Sequence, residues 1–345
     1  MKTSPDKLHQ ISDRSKTPGS SRGRRGPGRG LGVIARHLLS LLGTLFAASL
    51  LVFFSRFLVP GDPARFLLRG RSPSQESIDA VTAEYGLDLP PWEQYLRWIG
   101  GVVQGDFGRS MQYRDDVTTV LLSRLPVTFE LVAMAGLLTV ALGVGAGVCA
   151  SLKRGRFTDR AILMTATALG ATPAFVIAIL LIAIFAVGVG WLPSFGSGDS
   201  GVDRFIHLIL PALSLALALI ALVARVTRSS MNEQFTREHV EVAMSRGLTK
   251  ESVVLRHVLR NALGPILLVT GVLIAGLIVT SAIVEQAFGL AGLGSLLVQS
   301  VERLDFAVVQ AIVLLVVLIF VTINTLVDLV QPLLDPRISA GSETR

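Results

Sequence analysis

The segment EHVEVAMSRGLTKESVVLRHVLRNALGP, Glu238 to Pro265, is charged and punctuated in a chain that is otherwise strongly apolar. Within it Val240, Ala243, Met244 and Gly247 recur at i, i+3, i+4 and i+7, the spacing that gathers one apolar stripe on an α-helix. Glu238 falls in the first turn, where a negative charge suits the positive end of the helix dipole, and Thr236 is placed to cap that end. Gly247 follows the last turn, at the position where a left-handed backbone closes a helix and side chains with a Cβ resist the conformation. Thr249 is then placed to cap a second helix, with Glu251 in its first turn, that runs toward Arg260; Pro265 opens the apolar segment beyond. The unit reads as two short helices joined by a tight bend. Small residues at Ala243 and Gly247 let backbone approach backbone, as a helix seated in another protein's groove requires. A lipid-lying anchor and a plain linker are the other readings, and neither needs small residues there.

Six apolar runs surround this segment: Leu38–Val59, Val127–Leu152, Ala161–Val189, Phe205–Val226, Pro265–Val284 and Phe306–Val330. Each is long enough to cross the hydrocarbon, which takes about 20 residues at roughly 1.5 Å apiece. The composition agrees: 51% of the 345 residues are apolar and only 17% are charged, with a mean hydropathy of +0.60. The expected fold is all-α, a polytopic membrane protein with six transmembrane helices. Thr172-Pro173, Pro211, Gly271 and Gly276 interrupt the runs, and kinks are expected there because neighbouring helices satisfy the freed backbone groups.

Basic residues set the orientation. Lys2, Lys7, Arg14, Lys16, Arg22, Arg24, Arg25, Arg29 and Arg36 precede the first run, and Lys153, Arg154, Arg156 and Arg160 follow the second. The positive-inside bias puts both groups in the cytoplasm, and with them, given six spans, both termini and the hairpin of residues 228–264. The net charge of +7 then reports topology and contact with anionic membrane lipid, with no nucleic-acid partner implied. Residues 1–30 read as a disordered basic tail, 31–338 as the six-span domain and 339–345 as a short cytoplasmic tail. An external segment occupies 60–126. There SIDAVTAEYGLDLP predicts a short amphipathic helix capped by Ser74 or Ser77 and stopped at Gly86. Trp92, Tyr95, Leu96 and Trp98 follow, suited to the headgroup level or to a docking surface.

Chemistry-bearing groups are sparse. Cys149 is the lone cysteine, which excludes an intramolecular disulfide, and it reads as a small buried filler in the second span. Arg56 and Arg225 stand near span ends, where long side chains reach the polar border. Glu130 and Glu285 fall toward the outer face, as candidates for a translocation pathway or external gate or, equally, as capped or paired structural groups. His9, His37, His207, His239 and His257 have no metal-ligand spacing, and neither H-E-x-x-H nor G-x-S-x-G occurs, so no catalytic or metal site is expected. The chain also lacks the G-x-x-x-x-G-K-[ST] phosphate loop, so any nucleotide chemistry must come from a partner.

Glu241-Val242-Ala243-x-x-x-Gly247 resembles the Glu-Ala-Ala-x-x-x-Gly signature of the membrane subunits of ATP-binding-cassette importers. GLTKESVVLRHVLRNALGP looks like the dipeptide/oligopeptide/nickel permease family in its first-subunit branch. PGDPA, YGLDLPPWEQYLRW, GDFGRS, RLPVTFEL, GWLPSFG, VEQAFGLAGLGSLL and LVDLVQPLLDPRI resemble that family's text in order, over roughly residues 31 to 338. The resemblance implies the type I ABC importer permease fold in the cell (inner) membrane. It implies a non-enzymatic subunit without cofactor, paired with a second homologous permease, two ATP-binding-cassette ATPases and an extracytoplasmic substrate-binding protein. It makes Glu241, Ala243, Met244, Gly247, Leu248, Arg256 and His257 the hairpin through which the ATPases act. The implied cargo is di- or oligopeptides; nickel chelates or glutathione-like compounds are the family's alternatives. A proton-coupled carrier is the reading from another class, and it needs a mid-membrane relay of Asp, Glu or His.

Overall fold

Apolar segments in a membrane must satisfy every backbone group internally, and the chain does so with helices alone. The computed structural model describes residues 28–58, 74–84 and 88–334; the tail before Gly28, PGDPA, Gly86 and residues 335–345 lie outside these. The chain divides after Ser40 into two units. Residues 28–40 of the first are helical, and the second carries the packed bundle. The helices are α1 (Gly28–Ser55, with a 3-10 turn at Arg56–Leu58), α2 (Gln75–Glu84), α3 (Pro91–Val103), α4 (Val117–Leu152), α5 (Phe157–Ala171) and α6 (Ala174–Gly188). They continue as α7 (Gly201–Phe235), α8 (Glu238–Ser245), α9 (Lys250–Phe288), α10 (Leu293–Glu302) and α11 (Phe306–Leu334). Among the described residues there is no strand, and β pairing is confined to the bridge Arg109–Asp116.

Among the described residues five helices are long and apolar enough to cross a membrane, or six where α5 and α6, bent by 102° at their break, are counted as one span. The bend falls at Thr172-Pro173, where the sequence places a kink, and divides the run Ala161–Val189 into two helices. Pro173 has no amide proton and its ring pushes the preceding residue out of the helical region, so Thr172 adopts φ −88°, ψ 126°. Thr172 Oγ1 then donates to the Ala168 carbonyl (2.9 Å). Pro126, Pro211 and Pro265, by contrast, stay inside α4, α7 and α9. The second span's helix therefore begins at Val117, and Pro265 does not open the fifth span. Lys250–Phe288 is one helix that passes through a π-type stretch at Val253–Leu259.

Close packing in lipid relies on small residues. Gly143 and Gly147 of α4 face Val223, Ala224 and Thr227 of α7; a Cβ on Gly147 would lie 2.5 Å from Thr227 Cβ and 2.7 Å from the Ala224 carbonyl oxygen. The central core draws Leu131 and Ala135 from α4, Ile177 from α6, Leu208 and Leu215 from α7, and Leu277 and Phe288 from α9. A second core at one end joins Val117 and Leu121 to Leu296 of α10 and Val308 of α11. There Asp305 caps α11. Its carboxylate accepts from Ser110 Oγ (2.6 Å) and the Gln112 amide (3.2 Å), fastening the loop between α3 and α4 to the bundle. Cys149 is exposed on α4, which corrects its reading as a buried filler. Ser74 Oγ accepts from the Ser77 amide (3.2 Å), as the predicted cap of α2. Tyr95 is buried, its hydroxyl 2.9 Å from Ser49 Oγ, while Trp92 and Leu96 remain exposed. Arg56 stacks over Phe53 (4.1 Å) and Phe57 (4.8 Å) and donates to Gln94.

Gly147→Val should lower the stability of the detergent-purified chain by about 1–3 kcal/mol through overpacking. Gly145→Ala, with no atom within 4 Å of the added Cβ, should leave the thermal midpoint unchanged.

Candidate functional site

The polar hairpin stands on its own small core. Met231 of α7, Val240 and Ala243 of α8, and Val253, Val254, Val258, Ala262 and Ile266 of α9 are all buried together, with Val144 and Val148 of α4 packed against them. Only part of the predicted stripe turns inward. Val240 and Ala243 are buried, whereas Met244 is 54% and Leu248 42% exposed. Glu241 and Met244, three apart on α8, are both exposed, and Leu248 is exposed just past the Gly247 bend. Arg256 is exposed on the second arm and His257 is half-buried.

The bend closes as the glycine predicts. Gly247 has φ +78°, its amide donates to the Met244 carbonyl (3.0 Å) and the Leu248 amide to the Ala243 carbonyl (3.4 Å). These are the two reverse bonds that terminate a helix on a left-handed residue. Thr249 accepts from the Ser252 amide (3.4 Å), as expected of a cap. Thr236 does not cap α8: its hydroxyl donates back to the Glu233 carbonyl (2.8 Å), and Arg237 in extended conformation holds the cap position. Asn261 ties the two arms, donating to the His257 carbonyl (2.7 Å) with its Nδ2 3.1 Å from His239 Nε2.

Glu130 and Glu285 lie toward the opposite end and have different surroundings. Glu130 is exposed and faces Arg204 at 3.4 Å. Glu285 is wholly buried. Its carboxylate accepts from Thr128 Oγ1 (2.8 Å), Ser281 Oγ (3.1 Å) and the Ser295 amide (3.0 Å). Thr128 in turn accepts from the Leu293 amide (2.8 Å). Gly292 passes so close that a Cβ would lie 2.4 Å from Glu285 Oε2. In this conformation Glu285 is enclosed, and its bonds hold the turn between α9 and α10. The loop before α7 covers that turn: the Gly196 amide donates to the Phe288 carbonyl (2.9 Å) and the Ala291 amide to Ser197 Oγ (2.7 Å).

Sequence reasoning missed α10, Asp305, Thr128 and Ser295. Thr128 and Asp305 find their partners far away in the chain, with Thr128 and Glu285 157 positions apart and Ser110 and Asp305 195 apart, and no local spacing signals such pairs. The usable hint was a Glu beside the small-residue turn GLAGLG.

The hairpin thus has a filled inner face and exposed apolar and acidic residues outside it, on a bundle of long apolar helices. The family described as the binding-protein-dependent transport system inner membrane component matches residues 140–340, and its N-terminal part matches residues 31–132. The chain belongs to this family of ABC importer permeases, in its dipeptide/oligopeptide/nickel branch. It is 38% identical over 308 residues to the glutathione transport system permease protein GsiC of Escherichia coli (strain K12), covering 89% of this chain and 99% of that one. The GsiC of Shigella dysenteriae serotype 1 (strain Sd197) matches to the same extent, 38% over 308 residues with 89% and 99% covered. A solved chain of the MetNI methionine ABC transporter shares the fold, with a TM-score of 0.52 at 19% identity, over 62% of this chain and 96% of that one.

Glu285→Ala should cost about 1–3 kcal/mol, since buried donors lose their acceptor. Glu130→Ala should cost under about 0.5 kcal/mol, as for other exposed ion pairs. Thermal unfolding of the purified variants compares the two.

Proposed function

We propose that this chain is the permease subunit of an ATP-driven importer of short peptides, and that its hairpin seats in a groove of a separate ATPase. The observation that carries the reading is the exposure of Glu241, Met244 and Leu248 on a hairpin whose inner face is already filled by Val240, Ala243 and Val258. An apolar face held rigidly beside a tight glycine bend is suited to a preformed protein groove. Arg256 and His257 flank it on the second arm and would orient the ATPase. The hairpin works at the cytoplasmic side, with both chain termini, and a second homologous permease completes the pathway. A substrate-binding protein delivers cargo at the outer face, where Glu130 and the loop before α7 border the entrance and Glu285 anchors the turn beneath them.

Glutathione-like tripeptides fall within the proposed cargo, supported by the 38% identity to glutathione permeases along nearly their whole length. Dipeptides, longer peptides and nickel chelates are the competing cargo of the same branch. A proton-coupled carrier finds no support in Glu285, whose carboxylate is enclosed by hydroxyls and an amide with no relay partner beside it.

Met244→Asp with Leu248→Asp should weaken ATPase co-purification at least about tenfold, roughly 1.4 kcal/mol or more, while membrane insertion is kept. Uptake in cells should persist when the proton gradient is collapsed and ATP maintained. Unlabelled glutathione should compete with a labelled tripeptide, and competition by nickel chelates alone would reassign the cargo.

A further inference from the structure

Asp159 opens α5 directly after the basic turn Lys153–Arg156, and Arg228 lies on α7 shortly before the hairpin. The two meet through a planar fork. Arg228 Nε donates to Asp159 Oδ1 and Nη2 to Oδ2, both at 2.7 Å. The Gly155 amide adds a bond to Oδ2 at 2.9 Å. Asp159 is 2% exposed. Beside it, Ser151 Oγ at the end of α4 donates to Asn232 Oδ1 (3.0 Å), on the same stretch of α7.

Two bonds in one plane fix the relative rotation of α5 and α7 as well as their distance, whereas a single bond leaves a swivel. The hairpin-side half of α7 is itself immobilised against the hairpin, because Met231 sits in the same core as Val240, Ala243 and Val258. A push on the hairpin is thus delivered to the Arg228 level of α7. From there α5 leads to the Thr172–Pro173 break, where the span turns by 102°. A hollow of about 290 Å³ opens at that break, lined among others by Thr172, Pro173, Leu215 and Thr280. α7 reaches this hollow through its own helix, but α5 is tied to the hairpin end by side chains.

We propose that Asp159 and Arg228 are positioning residues that make α5, and with it the broken span, follow the hairpin, so that ATP hydrolysis in the partner becomes movement at the break. The proposal rests on the reading of the hairpin as the ATPase seat. The pair touches neither cargo nor nucleotide. Its removal should separate hydrolysis from transport without detaching the ATPase.

The test uses the full transporter in proteoliposomes, measuring uptake and ATP hydrolysis together. Asp159→Asn keeps the shape and removes the charge; Arg228→Lys keeps the charge and permits only a single-point contact. Both should assemble and hydrolyse ATP at near the unaltered rate, while uptake per ATP falls by about tenfold or more, on the scale of coupling between distant sites. Asp159→Glu, which preserves a fork, should restore part of the ratio. An unchanged ratio in Asp159→Asn would overturn the proposal. Loss of assembly in both Asp159→Asn and Arg228→Lys would do so too, by reducing the pair to a structural contact. The Met244→Asp, Leu248→Asp variant keeps the two ideas apart. ATPase retained there rejects the hairpin reading itself, whereas ATPase released there with a normal ratio in Asp159→Asn rejects only the link.

Discussion

A helix leaves its terminal amides and carbonyls without partners, and where an end is packed against protein or lipid they must be satisfied from within the chain. The bundle meets this constraint with one device used at both ends. At Gly247 and at Gly289 (φ +59°) a left-handed residue turns the chain so that the following amide reaches back to the last turn. Leu304 (φ +58°) repeats the pattern without glycine, its neighbour Asp305 donating to the Ser300 carbonyl (2.8 Å) and capping α11. A bulky residue in that region is uncommon and persists only where the surroundings hold it. Here the Ser110 and Gln112 bonds to Asp305 do so.

Between the ends the spans need little polarity, and what they have is placed at contacts. Lipid tails are as apolar as leucine, so helices associate through close approach and buried hydrogen bonds. Glycines on α4 admit α7, and Gly271 of α9 admits Val327 of α11, whose side chain would lie 2.5 Å from an added Cβ. Among the described residues the buried charged groups gather in two layers. One holds Glu285 and Asp305, with Thr128 and Ser295, near the turns that flank α10; the other holds Asp159, with Arg228 and Asn232, near the hairpin. Each layer fixes how a turn sits on the spans, and the apolar middle between them contains the one sharp break, at Thr172–Pro173.

This division suits a subunit that is moved by another protein. The hairpin presents a filled inner face to the bundle and an exposed face outward, so on the proposed reading it passes on displacement without carrying chemistry of its own. The absence of a phosphate-loop motif in the sequence is in keeping with that role. Cargo selection would then reside mainly in the binding protein and in the small number of side chains at the break and the outer entrance.

Much of this was legible in the chain. Long apolar runs announce spans because nothing else tolerates hydrocarbon, and Gly247 and Thr249 announce their bend because left-handed turns and caps are local events decided by a few neighbouring residues. Which proline breaks a helix was not local. Pro126, Pro211 and Pro265 remain inside helices while Pro173 turns its span by 102°, because packing around each site decides whether the lost bond is tolerated. The same holds for Thr236, which bonds backward although its type and place suited a cap, and for Cys149, which faces outward from a helix whose apolar residues mark no single buried side. Glu285 and Asp159 were only carboxylates near turns until tertiary structure supplied Thr128 and Arg228 from distant helices. Sequence by itself determines what each segment must hide from water or lipid; the fold alone decides which hidden groups meet, since those pairings depend on long-range register that no local spacing encodes.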